Sequence, residues 1–179
     1  MPAAATTPHA EVIQGTVVFT DIVGFTEFTA LRGDDGAIEL LSVQERLVTE
    51  MLPTRSRIVK ELGDGLLLWF ADACAAIETS LRLQERFEHE STNSDLPLWV
   101  RCGMHSGHQT RRGDDLIGHD VNVAARIVAV AGPGEVLLSD ATLEQVEGKL
   151  PDVWFDELGP VMMKGIPEPV RLFRATSVG

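Results

Sequence analysis

A chain of 179 residues, with 44% hydrophobic and 23% charged residues, is long enough to form one globular domain with a sizeable core. Its formal net charge of −12 argues against nucleic acid or an anionic membrane surface as the main partner, because both carry dense negative charge. No apolar run reaches the length of a membrane span and the N-terminus lacks the pattern of a signal peptide, so we expect a cytoplasmic location.

The predicted elements follow hydrophobic periodicity and turn residues. Residues 1–10, rich in Ala, Thr and Pro, are predicted to be a flexible N-terminal arm, and residues 11–179 a single domain. Strands are predicted at residues 15–21, 57–62, 66–70, 98–105, 135–139, 153–157, 161–164 and 170–174. Helices are predicted at residues 37–51, 73–87, 121–131 and 142–147. Because helices and strands mix without strict βαβ alternation, we expect an α+β fold with a largely antiparallel sheet.

Two carboxylates stand at the ends of hydrophobic strands. Asp21 closes the first strand, and Asp64 is at the tip of the Gly63-Asp64-Gly65 hairpin, where Asp-Gly tolerates positive φ. A pair of carboxylates on rigid strands is a natural way to hold hard divalent cations. The alternative for each Asp taken singly is a turn or helix-cap residue.

The helix predicted at residues 121–131 carries two polar side chains among apolar ones. Asn122 and Arg126 are four residues apart and therefore share one face. We expect this helix to be buried, so that both side chains need partners. These partners are either internal backbone carbonyls or a ligand.

Three histidines, His105, His108 and His119, raise the possibility of a zinc site. His105 and His108 are three apart on a predicted strand and would point to opposite faces, and no fourth ligand is evident. Structural or exposed histidines are the better interpretation.

Three segments, agreeing in order and spacing, together resemble the catalytic domain of the class III nucleotidyl cyclases. They are residues 19–26 (FTDIVGFT), residues 60–65 (KELGDG) and residues 115–126 (DLIGHDVNVAAR). The resemblance covers roughly residues 12 to 175. It implies an α/β sandwich with a ferredoxin-like βααββαβ core and additional C-terminal strands.

The resemblance also implies roles for the metal and phosphate groups. Asp21 and Asp64, with the carbonyl of Ile22, would hold two divalent cations, Mg²⁺ or Mn²⁺. The phosphates of ATP would lie against four successive backbone amides, those of Val23, Gly24, Phe25 and Thr26. Lys164 would contact the phosphates too. Either Arg111 or Arg112 could bind the terminal phosphates, although their loop does not align uniquely.

The remaining implied roles concern the base and the transition state. Lys60 would donate to ring N1 of adenine and Asp115 would accept from its 6-amino group, a pair that favours ATP over GTP. Asn122 would orient the ribose, and Arg126 would stabilise charge on the α-phosphoryl group.

The resemblance therefore implies an adenylyl cyclase that makes 3′,5′-cyclic AMP and pyrophosphate in sites shared across a head-to-tail homodimer. One alternative is a guanylyl cyclase. The other is a non-catalytic nucleotide-binding or dimerisation module of the same fold. A diguanylate-type cyclase is disfavoured because its Gly-Gly-Glu-Glu/Asp-Glu-Phe-like signature is missing from the sequence.

Overall fold

The computed structural model describes residues 10–179, so all of the predicted N-terminal arm except Ala10 lies outside the described residues. Within this part of the chain the helices are α1 (Phe25–Met51), α2 (Ala73–Asn93), α3 (His119–Val130) and α4 (Asp140–Val146). The strands are β1 (Val12–Ile22), β2 (Ser56–Leu62), β3 (Gly65–Phe70), β4 (Val100–Arg112), β5 (Asp115–Ile117), β6 (Val136–Ser139), β7 (Val153–Val161) and β8 (Val170–Ser177).

One mixed sheet organises the described residues. Its strand order is β2-β3-β1-β4-β6-β8-β7, and β5 pairs with β4. All pairs are antiparallel except β4 with β6. Gly33 breaks α1 into two helices (φ 73°, ψ −177°), so the order from β1 to β4 is βααββαβ. This confirms the predicted ferredoxin-like core with additional C-terminal strands.

Helices cover both faces of the sheet, because successive residues of the central strands point to opposite faces and are apolar on both. Helices α1, α2 and α4 pack on one face, against side chains such as Val18 and Leu68. Helix α3 packs on the other face, where Val17 and Leu67 meet Val121, Ala124 and Val128. This second face carries the candidate site.

Several boundaries differ from the predictions: β4 runs to Arg112 instead of residue 105, α2 runs to Asn93 instead of residue 87, and β5 was not predicted. Helix α1 begins at Phe25, well before residue 37, because the break at Gly33 divides it into two shorter helices. The strand predicted at residues 161–164 does not form: β7 continues through a bulge at residues 157–159 to Val161, and Lys164 lies in a turn. The bulge keeps β7 paired with β8 across Gly159-Pro160, where we expected a break, and the positive φ of Gly165 (79°) turns the chain away.

None of the helices in the described residues is both long and apolar enough to cross a membrane.

Candidate active site

The two strand-end carboxylates are brought together by the pairing of β1 with β3. Asp21 lies opposite Gly65, the residue that follows Asp64. A Cβ atom on Gly65 would lie 2.0 Å from the carbonyl oxygen of Thr20, so only glycine permits this close approach. The amide of Leu66 donates to Thr20 Oγ1 at 3.0 Å and closes the junction. In the turn itself Gly63, not Gly65, takes the positive φ (62°), contrary to the expectation from Asp-Gly.

The two carboxylates are close enough to influence each other electrostatically. The pKa of Asp64 is raised from 3.8 to about 6. The largest cause is burial, and the neighbouring carboxylate of Asp21 is the second. Such a pair of oxygen donors suits a hard cation, and a cation would remove the repulsion. In residues 10–179 no cluster of three or more His, Cys, Asp or Glu side chains could hold a metal, so much of the coordination here would come from backbone, substrate or water.

A third charged group at the site, Arg101, was missed by the sequence predictions. It lies opposite Asp21 on β4, and its Nε donates to Asp21 Oδ2 at 2.8 Å. Its NH1 donates to the carbonyl oxygens of Ala129 and Ala131, at 3.2 and 3.3 Å, where α3 ends. The available signal was a single cation among the mostly apolar residues 98–104 at the start of β4.

The four amides predicted to cradle phosphates lie where β1 passes into α1. Gly24 precedes the helix with φ 77°, and its lack of a side chain leaves the helix start without a side-chain cap. Such a helix start favours an anion, since the first amides have no partner within the helix. The amide of Val23, however, donates to the carbonyl of Trp99 at 2.7 Å, so that amide is already engaged in this structure.

Lys60 and Asp115 form an ion pair that links β2 to β5. Lys60 Nζ lies 2.9 Å from Asp115 Oδ1 and 3.0 Å from Oδ2. Both side chains are partly exposed. The hydrogen bond from Lys60 is the main reason that the pKa of Asp115 is lowered. Arg57 supports the same loop, because its NH1 donates to the carbonyl of Asp114 at 3.0 Å.

A β-bulge in β2 decides which way Lys60 points. Ile58 pairs with Leu68, but Lys60 pairs with Leu67, so Val59 is an extra residue. In a regular strand, in which Val59 also took a place in the pairing, Lys60 would share the face of Ile58, towards α1 and α2. With the bulge, Lys60 lies on the face that carries α3, and there it reaches Asp115.

The helix with Asn122 and Arg126, α3, is not wholly buried, so that expectation was wrong. Both side chains lie on its exposed stripe, while Val123 and Ile127 pack against the sheet. Within residues 10–179 neither side chain makes a hydrogen bond or ion pair that would hold it inside the fold. The alternative in which internal carbonyls satisfy them is therefore excluded.

The other predicted phosphate contacts are not all near Asp21. Arg111 pairs with Glu11 at 3.1 Å, at the end of β4 opposite to Arg101. Arg112 is exposed beside it. Lys164 is exposed in the turn after Met163, which packs with Ile127 of α3. Of the arginines on β4, the structure brings Arg101 to the carboxylates and leaves Arg111 and Arg112 at the far end.

A cavity of about 990 Å³ opens elsewhere, between α2 and β8. It is lined by residues such as Leu81, Glu88 and Thr176, and by none of the predicted site residues. Of the predicted site residues, Asn122 and Arg126 are exposed, whereas Asp21, Asp64, Lys60 and Asp115 are half-buried in a single chain.

Comparison with known proteins places the chain in a family. The model of the adenylate and guanylate cyclase catalytic domain matches residues 7–175. The chain belongs to this family, which confirms the resemblance seen in the sequence.

Curated relatives include adenylate cyclases. A pH-sensitive adenylate cyclase of Mycobacterium tuberculosis is 32% identical over 96% of this chain and 43% of its own length. A putative adenylate cyclase of Rhizobium meliloti is 34% identical over 88% of this chain and 27% of its own length. The chain thus spans less than half the length of these relatives.

Solved structures share the fold. An adenylate cyclase of Trypanosoma brucei in its monomeric state superposes with a TM-score of 0.83 at 22% identity, covering 92% of this chain and 88% of that one. The guanylate cyclase domain of RhGC from Catenaria anguillulae, in complex with GTP, has a TM-score of 0.78 at 21% identity and covers 94% and 99% of the two chains. At these identities the likeness establishes the architecture and leaves the choice of nucleotide open.

Proposed function

We propose that this chain converts ATP into 3′,5′-cyclic AMP and pyrophosphate, in active sites shared between two identical copies. The observation that carries the choice of ATP is the half-buried ion pair between Lys60 and Asp115 on the face of the sheet that carries α3. Family membership supports the reaction class. The ion pair supports adenine as the purine that the site accepts.

The pair matches adenine in its hydrogen-bonding pattern. The Lys60 ammonium has three N–H donors, so it can keep its contact with Asp115 and also donate to ring N1. Asp115 can accept from the 6-amino group. Guanine presents a ring N–H and a carbonyl at these positions, and each would meet a group of the same kind.

The metal requirement rests on Asp21 and Asp64. Their carboxylates, with the Ile22 carbonyl, offer only oxygen donors. The pKa of Asp64 is raised first by burial and then by Asp21, and a cation would relieve the repulsion between the two carboxylates. Mg²⁺ or Mn²⁺ bound there would supply charge neutralisation for the phosphates and acidify the ribose 3′-hydroxyl. Arg101 is held beside these carboxylates. One of its five guanidinium N–H donors is not engaged by Asp21, Ala129 or Ala131 and could donate to the same phosphates.

The shared site rests on the exposed stripe of α3. Asn122 and Arg126 project from the surface, with no hydrogen-bonding partner in the described part of their own chain. Partly exposed apolar residues lie next to the site segments in sequence, namely Leu62 before the Asp64 turn, Ile117 before α3 and Val130 at its end. A second copy would cover such apolar residues, and the substrate bound to that copy would then lie against Asn122 and Arg126.

The test is turnover of ATP and of GTP with Mg²⁺ and with Mn²⁺, in wild type and in Lys60→Glu. We expect cyclic AMP from wild type. In Lys60→Glu, the ratio of kcat/KM for ATP to that for GTP should fall by about tenfold or more, since one mismatched hydrogen bond at a buried contact costs about 1–3 kcal/mol.

The matched control is Lys149→Glu, the same charge change on an exposed lysine that follows α4 and donates to the carbonyl of Gln145. It should leave the ratio unchanged. Preferential production of cyclic GMP by wild type would show a guanylyl cyclase. Turnover of neither nucleotide by a dimeric, metal-loaded wild type would favour the non-catalytic module.

A further inference from the structure

A buried chain of hydrogen bonds leads from the sheet to the helix that carries Asn122 and Arg126. At its end, His105 lies between two side chains: its Nδ1 is 2.6 Å from Ser139 Oγ, and its Nε2 is 3.3 Å from Asp120 Oδ1. Asp120 is in the first turn of α3, two residues before Asn122. The proposed catalytic mechanism does not use His105, Asp120 or Ser139.

The order of donors and acceptors along this chain is determined by Asp120 and by the protonation of His105. Burial lowers the pKa of His105, so the imidazole is neutral near pH 7 and has a single N–H. An ionised Asp120 can only accept, so this N–H is on Nε2 and Nδ1 accepts from the Ser139 hydroxyl. The hydroxyl pairs behind Ser139 are Ser139 with Thr142 (3.4 Å), Thr142 with Ser106 (3.1 Å) and Ser106 with Thr16 (2.7 Å).

Asp120 fastens the start of α3 to β4 by one further hydrogen bond. Its Oδ2 accepts from the backbone amide of His108 at 2.7 Å. Gly107 leaves room for it, because a Cβ there would lie 2.1 Å from Asp120 Oδ2. The residue before the helix, Gly118, has no side chain to cap it, so Asp120 is the polar group that orients this end of α3.

We propose that His105 is a positioning residue of the cyclase reaction: through Asp120 it sets the orientation of α3, and thereby where Asn122 and Arg126 meet the substrate. This inference rests on the proposed function. The physical reason is that a polar side chain that acts in the transition state must be held to within a fraction of an ångström. The position of an exposed side chain is fixed mainly by the helix that carries it.

The first test compares kinetics and stability in three variants. His105→Leu and Asp120→Leu remove the contact, and Gly107→Ala displaces the carboxylate without altering either partner. We expect kcat for ATP to fall about tenfold or more in each, with KM changed by less than about threefold, because misplaced groups act on the transition state more than on ground-state binding.

A conservative variant and a control separate positioning from general stability. In Asp120→Asn the amide can accept from the His108 amide and donate to Nε2 if the imidazole takes its other tautomer, so kcat should recover to near wild type. Thr16→Val cuts the far end of the chain on β1 and should lower the melting temperature with kcat unchanged. Equal losses of kcat in Thr16→Val and His105→Leu, or unchanged kcat in folded His105→Leu and Asp120→Leu, would overturn the proposal.

A readout that needs no turnover keeps the proposal independent of the proposed function. Backbone amide NMR signals of residues 119–126 should shift in His105→Leu and stay at wild-type positions in Thr16→Val. If wild type makes no cyclic nucleotide, the proposed function fails, and these signals still decide whether His105 orients α3. Signals of α3 that do not move in His105→Leu would overturn the positioning role.

Discussion

At the scale of single residues, three ionisable side chains, Asp21, Asp64 and Arg101, determine the electrostatics of the site. Asp21 is paired with Arg101, whereas Asp64 is shielded from water and faces Asp21. The guanidinium of Arg101 lowers the pKa of Asp64, but this effect is smaller than those of burial and of Asp21, which raise it to about 6. Without metal, Asp64 therefore keeps its proton up to about pH 6, whereas an ordinary Asp loses its proton near pH 3.8.

The first prediction concerns this proton. Because the pKa of Asp64 is raised in the folded state, its contribution to the free energy of unfolding is full below pH 3.8 and is lost as the pH rises through about 6. Mg²⁺ binding requires the ionised carboxylate, so its affinity should rise over the same pH range. Chemical denaturation in EDTA, and Mg²⁺ titration at several pH values, measure the two effects.

Asp64→Asn is the matched variant for this prediction, because it keeps the shape and removes the titration. It should lose the part of the pH dependence of stability between pH 4 and 6 that comes from Asp64, and it should also lose Mg²⁺ binding. An Asp64→Asn protein with the same pH dependence as wild type would assign the effect to another carboxyl group.

At the scale of elements, local backbone details aim the functional side chains. The end of β3 meets β1 only because Gly65 has no side chain. The extra residue in β2, Val59, turns Lys60 to the face of the sheet that carries Asp115. Both features keep the strands paired while they re-aim one side chain, which is a common use of glycine and of bulges beside active sites.

The second prediction tests the junction of β1 and β3. Gly65→Ala would place a methyl group against the carbonyl of Thr20, so the two strand ends must separate. We expect a loss of roughly 1–3 kcal/mol in the free energy of unfolding, as for other overpacked positions. Mg²⁺ affinity should fall as well, since Asp21 and Asp64 move apart.

Gly63→Asn in the same turn is the control for this prediction. Nothing lies within 4 Å of a Cβ at Gly63, and Asn tolerates its positive φ of 62°. Stability and Mg²⁺ affinity should therefore remain close to wild type. If Gly65→Ala binds Mg²⁺ as tightly as Gly63→Asn does, close approach of these strands is not what assembles the carboxylates.

At the scale of the whole molecule, one chain displays the parts of a site without enclosing them. The carboxylates and Arg101 lie at one end of β1, and Asn122 and Arg126 lie on an exposed stripe of α3. A two-fold dimer would create two equivalent sites, each using the carboxylates of one copy and the α3 side chains of the other.

The third prediction is complementation between two inactive variants. Asp21→Ala and Arg126→Ala should each be inactive alone, the first by loss of a metal ligand and the second by loss of about 3–4 kcal/mol of transition-state stabilisation. In a mixed dimer one site carries both lesions and the other carries neither. With equal, random pairing, half the dimers are mixed, so activity should approach about a quarter of wild type.

Two further measurements make this result decisive. Subunit exchange is confirmed by native mass spectrometry of the mixture, and wild-type specific activity is followed on dilution, where it should fall if the dimer is weak. A mixture that exchanges subunits and stays inactive would show that Asp21 and Arg126 act in the same chain.

The sequence by itself determined those parts of the protein that depend on local geometry. Strand and helix periodicity predicted the antiparallel sheet, the hairpin that presents Asp64, and the common face of Asn122 and Arg126. These predictions succeeded because a period of two or 3.6 residues and a tight turn are properties of a short segment. The matching segments around Asp21, Asp64 and Asp115 also indicated the family.

Only the tertiary structure decided which distant residues meet. The register of β1 with β4 brought Arg101 to Asp21 and left Arg111 at the far end, although both lie on one strand. The bulge that turns Lys60 and the exposure of the α3 stripe also depend on packing between segments far apart in sequence. A shift of one residue in register reverses the face of every side chain, and register is set by long-range pairing that no local pattern encodes.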